Sequence, residues 1–113
     1  MAATLKSVVL AASAARTTTA DGTPVEGINR DGPAAVFLDA TAASGTTPTL
    51  DVTIEEYDSV SAKWYVIATF AQLVAVGRER IAVADLSGNR HRASWTITGT
   101  TPSFTFSVSM NAK

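Results

Sequence analysis

The most regular hydrophobic pattern in the chain lies at residues 49–57, where Leu50, Val52 and Ile54 alternate with Asp51, Thr53 and Glu55. A period of two puts the apolar set on one face and the polar set on the other, as a half-buried β-strand requires. Residues 34–41 alternate in the same way, with Val36, Leu38 and Ala40 against Phe37, Asp39 and Thr41. Near the C-terminus Phe104, Phe106, Val108 and Met110 alternate with Thr105, Ser107 and Ser109, and Trp95 and Ile97 supply a facing pair within residues 91–98. Residues 7–12 and 78–84, the latter centred on Ile81 and Val83, predict two more strands. Residues 64–70 carry large apolar groups on both sides. Trp64, Val66, Ala68 and Phe70 share one face, and Tyr65 and Ile67 lie on the other, which predicts a central or interface strand. By parity both Trp64 and Trp95 read as core.

Between these segments the turn residues set the connections. Residues 42–48 read as a loop, 58–63 as a hairpin connection, and 85–89 as a turn with Gly88 and Asn89 available for positive φ. Residues 99–102 read as the turn of a hairpin joining the last two strands. Residues 71–77 form too short a run to assign, and no apolar pattern of helical period persists for three turns. The expectation is an all-β fold, an antiparallel β-sandwich or jelly-roll-like barrel of about seven or eight short strands. The 113 residues suit a single domain. Residues 16–33 stand apart, with three glycines, two prolines and only Val25 and Ile28 as sizeable apolar groups. This stretch reads as a long loop or extended arm, or as a short strand around Val25.

Composition narrows the function. A hydrophobic fraction of 46% supports a packed core, although much of it is alanine. Nine basic against ten acidic side chains give a net charge of −1, which offers no positive field for nucleic acid and no polybasic membrane anchor. The absence of cysteine rules out disulfides, thiolate metal sites and cysteine nucleophiles. At the N-terminus Lys6 is the one early cation and Ser13 breaks the apolar run, so this region reads as a strand rather than a signal peptide. No run approaches the roughly 20 apolar residues that span a bilayer, and the protein is expected to be soluble.

Candidate chemistry is sparse. His91 is the single histidine, flanked by Arg90 and Arg92 at a strand start, and G-x-S-x-G is absent, so it reads as an exposed strand-end residue. Asp39, Asp51 and Glu55 fall on outward faces, where solvated charge is ordinary. Glu56 shares the parity of Leu50, Val52 and Ile54, but its place at the strand end lets it reach water. Asp21, Asp58 and Asp85 lack the spacing of a calcium loop. Arg78, Arg80, Arg90 and Arg92 form the one local basic enrichment. If their strands pair, they gather at one edge and suit an acidic surface on a partner. Tyr57 and Tyr65 flank the same hairpin and could form a stacking platform for a sugar; together with Ile67 and the four arginines they are the candidate interface residues. A hydrolase built on His91 or Asp51 is the weakest alternative.

Residues 37–41 (FLDAT), the Ser/Gly/Thr/Pro stretch 42–48, the strand 50–54 (LDVTI), the D-x-x-S-x-K-W hairpin 58–64 and the terminal run 94–108 (SWTITGTTPSFTFSV) resemble a pattern found in small virion proteins of tailed bacteriophages. Residues 11–16 (AASAAR) are similar to the start of such chains. The resemblance implies a non-enzymatic structural role without cofactors, foremost as a head decoration (cement) protein on the capsid surface. Such a protein binds the outside of the capsid lattice, bridges major capsid subunits and assembles as an oligomer or on the lattice, with neither nucleic acid nor membrane as partner. A neck, tail or surface-fibre component is the alternative within the class. A carbohydrate-binding module using Tyr57 and Tyr65 is the alternative outside it.

Overall fold

In the computed structural model, which describes residues 6–26, 32–86, 88 and 90–112, seven strands form one antiparallel hydrogen-bonded sheet that does not close. They are β1 (Lys6–Arg16), β2 (Ala20–Asp21), β3 (Val25–Glu26), β4 (Gly32–Asp58), β5 (Lys63–Thr69), β6 (Gly77–Leu86) and β7 (Arg90–Ala112). The sheet is built around two very long strands, β4 with 27 residues and β7 with 23. They pair with each other from Ala34↔Ala112 to Glu56↔His91.

Both long strands bend at the same level. Register shifts occur between Ala40 and Thr49 of β4, and positive φ falls at Gly45 and Thr47 of β4 and at Gly99 and Thr101 of β7. A positive φ is free for glycine and costly for threonine, so the bend is imposed by its surroundings. On one side of the bend the order is β1, the C-terminal half of β7, the N-terminal half of β4, then β6. On the other side it is β2 and β3, the N-terminal half of β7, the C-terminal half of β4, then β5. The sheet thus folds over on itself as a sandwich; strands that switch layers through bends and bulges are a known way to turn such corners. The thinnest dimension of the Cα trace, 19 Å, accommodates two layers.

The core lies between the layers. The first layer contributes Val36, Leu38, Phe104, Phe106, Val108 and Met110, and the second contributes Leu50, Val52, Ile54, Ala93 and Trp95, all buried. Each of the larger side chains stabilises the fold by about 1.5–3 kcal/mol through burial. Trp95 is core as expected: its ring meets Phe106 edge-on at 5.3 Å, and its indole N–H donates to the Thr18 carbonyl at 3.2 Å. Arg16 covers the rim of this pair, its guanidinium 4.9 Å from the Trp95 ring and 4.5 Å from that of Phe106. The same group donates to the carbonyls of Ala12, Ala14 and Phe106, and burial pushes its pKa down.

Several expectations are corrected. Residues 42–48 are not a loop but the bent middle of β4. Residues 99–102 do not turn a hairpin, because the segments on either side pair with β4 and not with each other. Glycine, threonine and proline in a short stretch suit a bend shared by two strands as well as a reversal. Trp64 is not core. A register shift between Ile54 and Glu55 leaves Ile67 as the extra residue of β5, so Ala68 and Phe70 face inward while Trp64 and Val66 face outward. The 58–63 connection is a hairpin as expected, with Asp58↔Lys63 and Tyr57↔Trp64 paired. In the 16–33 stretch, β2 and Val25 of β3 run along β7 as an edge of the second layer. Ile28 lies outside the described residues, as do Ser87 and Asn89 of the expected 85–89 turn.

Candidate functional site

The two layers present outer faces of different character. On the second layer the outward side chains are cross-linked. Arg92 Nε lies 2.7 Å from Glu55 Oε1 on the neighbouring strand, and its Nη1 lies 3.4 Å from Asp21 Oδ2 of β2. The Arg92 guanidinium stacks 4.2 Å from the Trp64 ring. Arg90 Nε sits 3.1 Å from Glu26 Oε1, a charge pairing rather than an aligned hydrogen bond. Its guanidinium covers Tyr57 at 5.0 Å and Trp64 at 5.5 Å, and the two rings lie 5.1 Å apart. Cation–π contact with half-buried rings and pairing with three carboxylates give both arginines charge partners within the molecule.

Beneath that face, at the end of the sandwich, His91 and Glu56 face each other across β7 and β4. His91 is fully buried rather than exposed, and its Nε2 lies 3.2 Å from Glu56 Oε2. Glu56 does not swing out to water as the sequence suggested; its side chain retains 16% exposure and turns inward. Period-two parity carries both residues inward, in line with buried Ala93 of β7 and Ile54 of β4. A shallow cleft of about 690 Å³ beside this pair is lined by Glu26, Glu56, Tyr57, Asp58, Ser59, Gly88 and Arg90. Its carboxylates are already committed. Asp58 accepts hydrogen bonds from the Ser61 hydroxyl and from the backbone N–H groups of Ser61 and Val60, which holds its pKa below the ordinary value. Of the other acids singled out in the sequence, Asp51 accepts from Gln72 Nε2 at 2.9 Å and Asp39 is exposed.

The outer face of the first layer carries mostly small side chains and few charges. Cross-strand pairing orders it into rows: Ala82, Ala35, Asn111 and Ser7; then Arg80, Phe37, Ser109 and Val9; then Arg78, Asp39 and Ser107; then Ala42, Thr105 and Ala15. Ser7 donates to the Asn111 side chain at 2.9 Å within the first row. Phe37 is the one aromatic ring among them. On either side of it lie two shallow depressions. One, of about 430 Å³, is bordered by Pro33, Ala35, Ala82, Ala84 and Arg80; the other, of about 340 Å³, by Asp39, Arg78 and Arg80. Arg78 and Arg80 form no ion pair among the described residues.

The candidate interface residues are therefore divided between faces. Arg78 and Arg80 stand on β6 of the first layer, Arg90 and Arg92 on β7 of the second, and these strands are not neighbours. Tyr57 and Tyr65 point to opposite sides of the β4–β5 hairpin, Tyr57 beside Trp64 and Tyr65 opposite Glu56 with its hydroxyl 3.1 Å from Ser61 Oγ. Ile67 is partly buried against the core. Sequence reasoning did not single out Phe37 as functional; its outward parity next to a string of alanines and serines was the available signal.

No family model and no curated protein sequence matches the chain. Solved structures share its fold. The PBSX exported protein XepA superposes with a TM-score of 0.61 at 18% identity, over 95% of this chain and 36% of that one. The SPBc2 prophage-derived protein YomS superposes with a TM-score of 0.54 at 9% identity, over 99% of this chain and 98% of that one. A chain in the structure of infectious bursal disease virus, Gx strain, gives 0.50 at 10% identity, over 96% of this chain and 31% of that one. The chain thus spans little more than a third of XepA and nearly all of YomS. At such identities the likeness is one of fold: an all-β sandwich that phage-derived proteins also use.

Proposed function

We propose that this chain is a non-enzymatic structural protein of a tailed-phage virion, placed on the outer surface of the head as a decoration protein that bridges major capsid subunits. The observation that carries this reading is the difference between the two outer faces. Arg90 and Arg92 of the second layer are paired within the molecule, while the first layer offers a field of mostly small side chains around one aromatic ring. Surfaces that are depleted of charge at the centre and carry aromatic and arginine side chains have the composition of a protein interface. The sequence resemblance to phage virion proteins and the fold shared with XepA and YomS support the same reading. Repetition of a modest contact over a lattice supplies avidity without any chemistry by the bound protein.

The test is to find the protein in purified particles by mass spectrometry and then locate it by cryo-electron microscopy. Regular density on the head exterior, in a copy number matched to the lattice, is the expected result. Density at the neck or tail keeps the virion role and moves its site. Absence from the particle overturns the reading and brings glycan binding forward.

A further inference from the structure

Building on that reading, we infer that the first-layer face around Phe37, Arg78 and Arg80 is the docking surface, and that it takes an acidic protein surface presenting an apolar side chain beside its carboxylates. Three features point there. Phe37 is half-buried and central in its row, flanked by Arg80 on β6 and Ser109 on β7. The depression next to it is floored by Ala35 and Ala82, whose small side chains leave space that a larger apolar group fills. At the rim stand two exposed arginines with no ion-pair partner among the described residues, whereas Arg90 and Arg92 are both paired. An aromatic group beside a socket, with arginine at its edge, is where binding energy concentrates in protein interfaces.

Charge selects the occupant. Asp39 is the one carboxylate in the described rows of this face, against the two arginines Arg78 and Arg80. A second copy of the face brings one carboxylate against two arginines, so a copy packed on it leaves cations in excess. The complementary surface supplies carboxylates of its own, and electrostatic matching of that kind fixes partner and orientation. Nucleic acid also supplies negative charge, but a chain of net charge −1 lacks the field that phosphate backbones require.

The experiment uses particles from a phage deleted for the protein, to which the purified full chain is added back. Binding is read by co-sedimentation across a salt series. The variants are Arg78→Glu with Arg80→Glu, and Ala82→Trp, which fills the depression from an exposed position and leaves the arginines in place. Circular dichroism confirms that each retains the β-fold. Wild type is expected to bind, with affinity falling as salt rises. The double charge reversal should weaken binding by about 100-fold or more, and Ala82→Trp by about tenfold or more. Wild-type binding that both variants reproduce overturns this surface while leaving the virion role intact. No wild-type binding overturns the role and the surface together. Wild-type dimers that Ala82→Trp abolishes assign the face to a second copy instead. Binding lost after nuclease treatment of the particles overturns the acidic-protein assignment.

Discussion

Gly45 and Gly99 face each other's strands at the corner of the sandwich: a Cβ on Gly45 would stand 2.8 Å from the Thr101 carbonyl oxygen, and one on Gly99 would stand 2.9 Å from Pro48 Cα. Both have positive φ, at 110° and 125°. The contacts are with backbone, which cannot rotate away, so the two long strands approach closely only because both positions lack a side chain. Gly45→Ala and Gly99→Ala are each expected to lower stability by about 2 kcal/mol or more, measured by urea unfolding. Because the two sites share one bend, the double variant should lose less than the sum. A loss under about 0.5 kcal/mol for either single variant would show that the corner relaxes freely.

The buried pair of His91 and Glu56 ties the far ends of β4 and β7. Replacing His91 by Ala removes one partner of an inward carboxylate and opens a cavity, with an expected loss of about 3 kcal/mol. Glu56→Gln keeps the shape and can still hydrogen-bond the imidazole, so its cost should be about 1 kcal/mol. Chemical denaturation of both variants separates the two magnitudes; equal costs would contradict the pairing.

Arg92 touches Glu55, Asp21 and the face of Trp64 at once. Lysine has the charge but neither the fork nor the flat stacking surface. Arg92→Lys is therefore expected to cost about 1 kcal/mol, to change the intrinsic fluorescence through Trp64, and to leave the fold in place. Unchanged fluorescence in that variant would remove Trp64 from the contact.

Asp58 is the clearest source of acid sensitivity. Its carboxylate is favoured by the Ser61 hydroxyl and then by two backbone N–H groups, which lowers its folded pKa from the ordinary 3.8. A depressed carboxylate pKa contributes stability that is present above the unfolded value and is lost as pH falls through the folded one. The loss belongs below about pH 4. NMR titration should place the Asp58 midpoint below that of a free aspartate, and Ser61→Ala should raise it.

How far the sequence revealed this molecule depended on the range of the interaction involved. The core faces of β4 and β7 were readable because Leu50, Val52, Ile54 and residues 104–110 alternate without interruption. Trp64 was misplaced because one extra residue, Ile67, reverses the parity of half a strand, and nothing local to residues 64–70 marks it. His91 was misread for a related reason. Its burial comes from Glu56, 35 residues earlier, and the flanking arginines suggested solvent although they are absorbed by Glu26, Glu55, Asp21 and two aromatic rings. The outer-face rows became visible only with the register. Their serines, alanines and threonines look like any solvated strand edge until four strands are aligned side by side.

The shared corner also bears on how the chain reaches this state. Because β4 and β7 run through both layers, neither layer can be completed until segments from 35 to 78 residues apart have met, as in Glu56↔His91 and Ala34↔Ala112. Much of the loop-closure entropy must be spent before that ladder returns stabilisation, which places the protein among slow folders for its length. Among the described residues, the β4–β5 hairpin is the pairing that closes over the shortest stretch of chain. Newly made chains therefore spend an extended interval with unpaired strand edges, and dilution or a chaperone would govern their yield more than the depth of the final energy well.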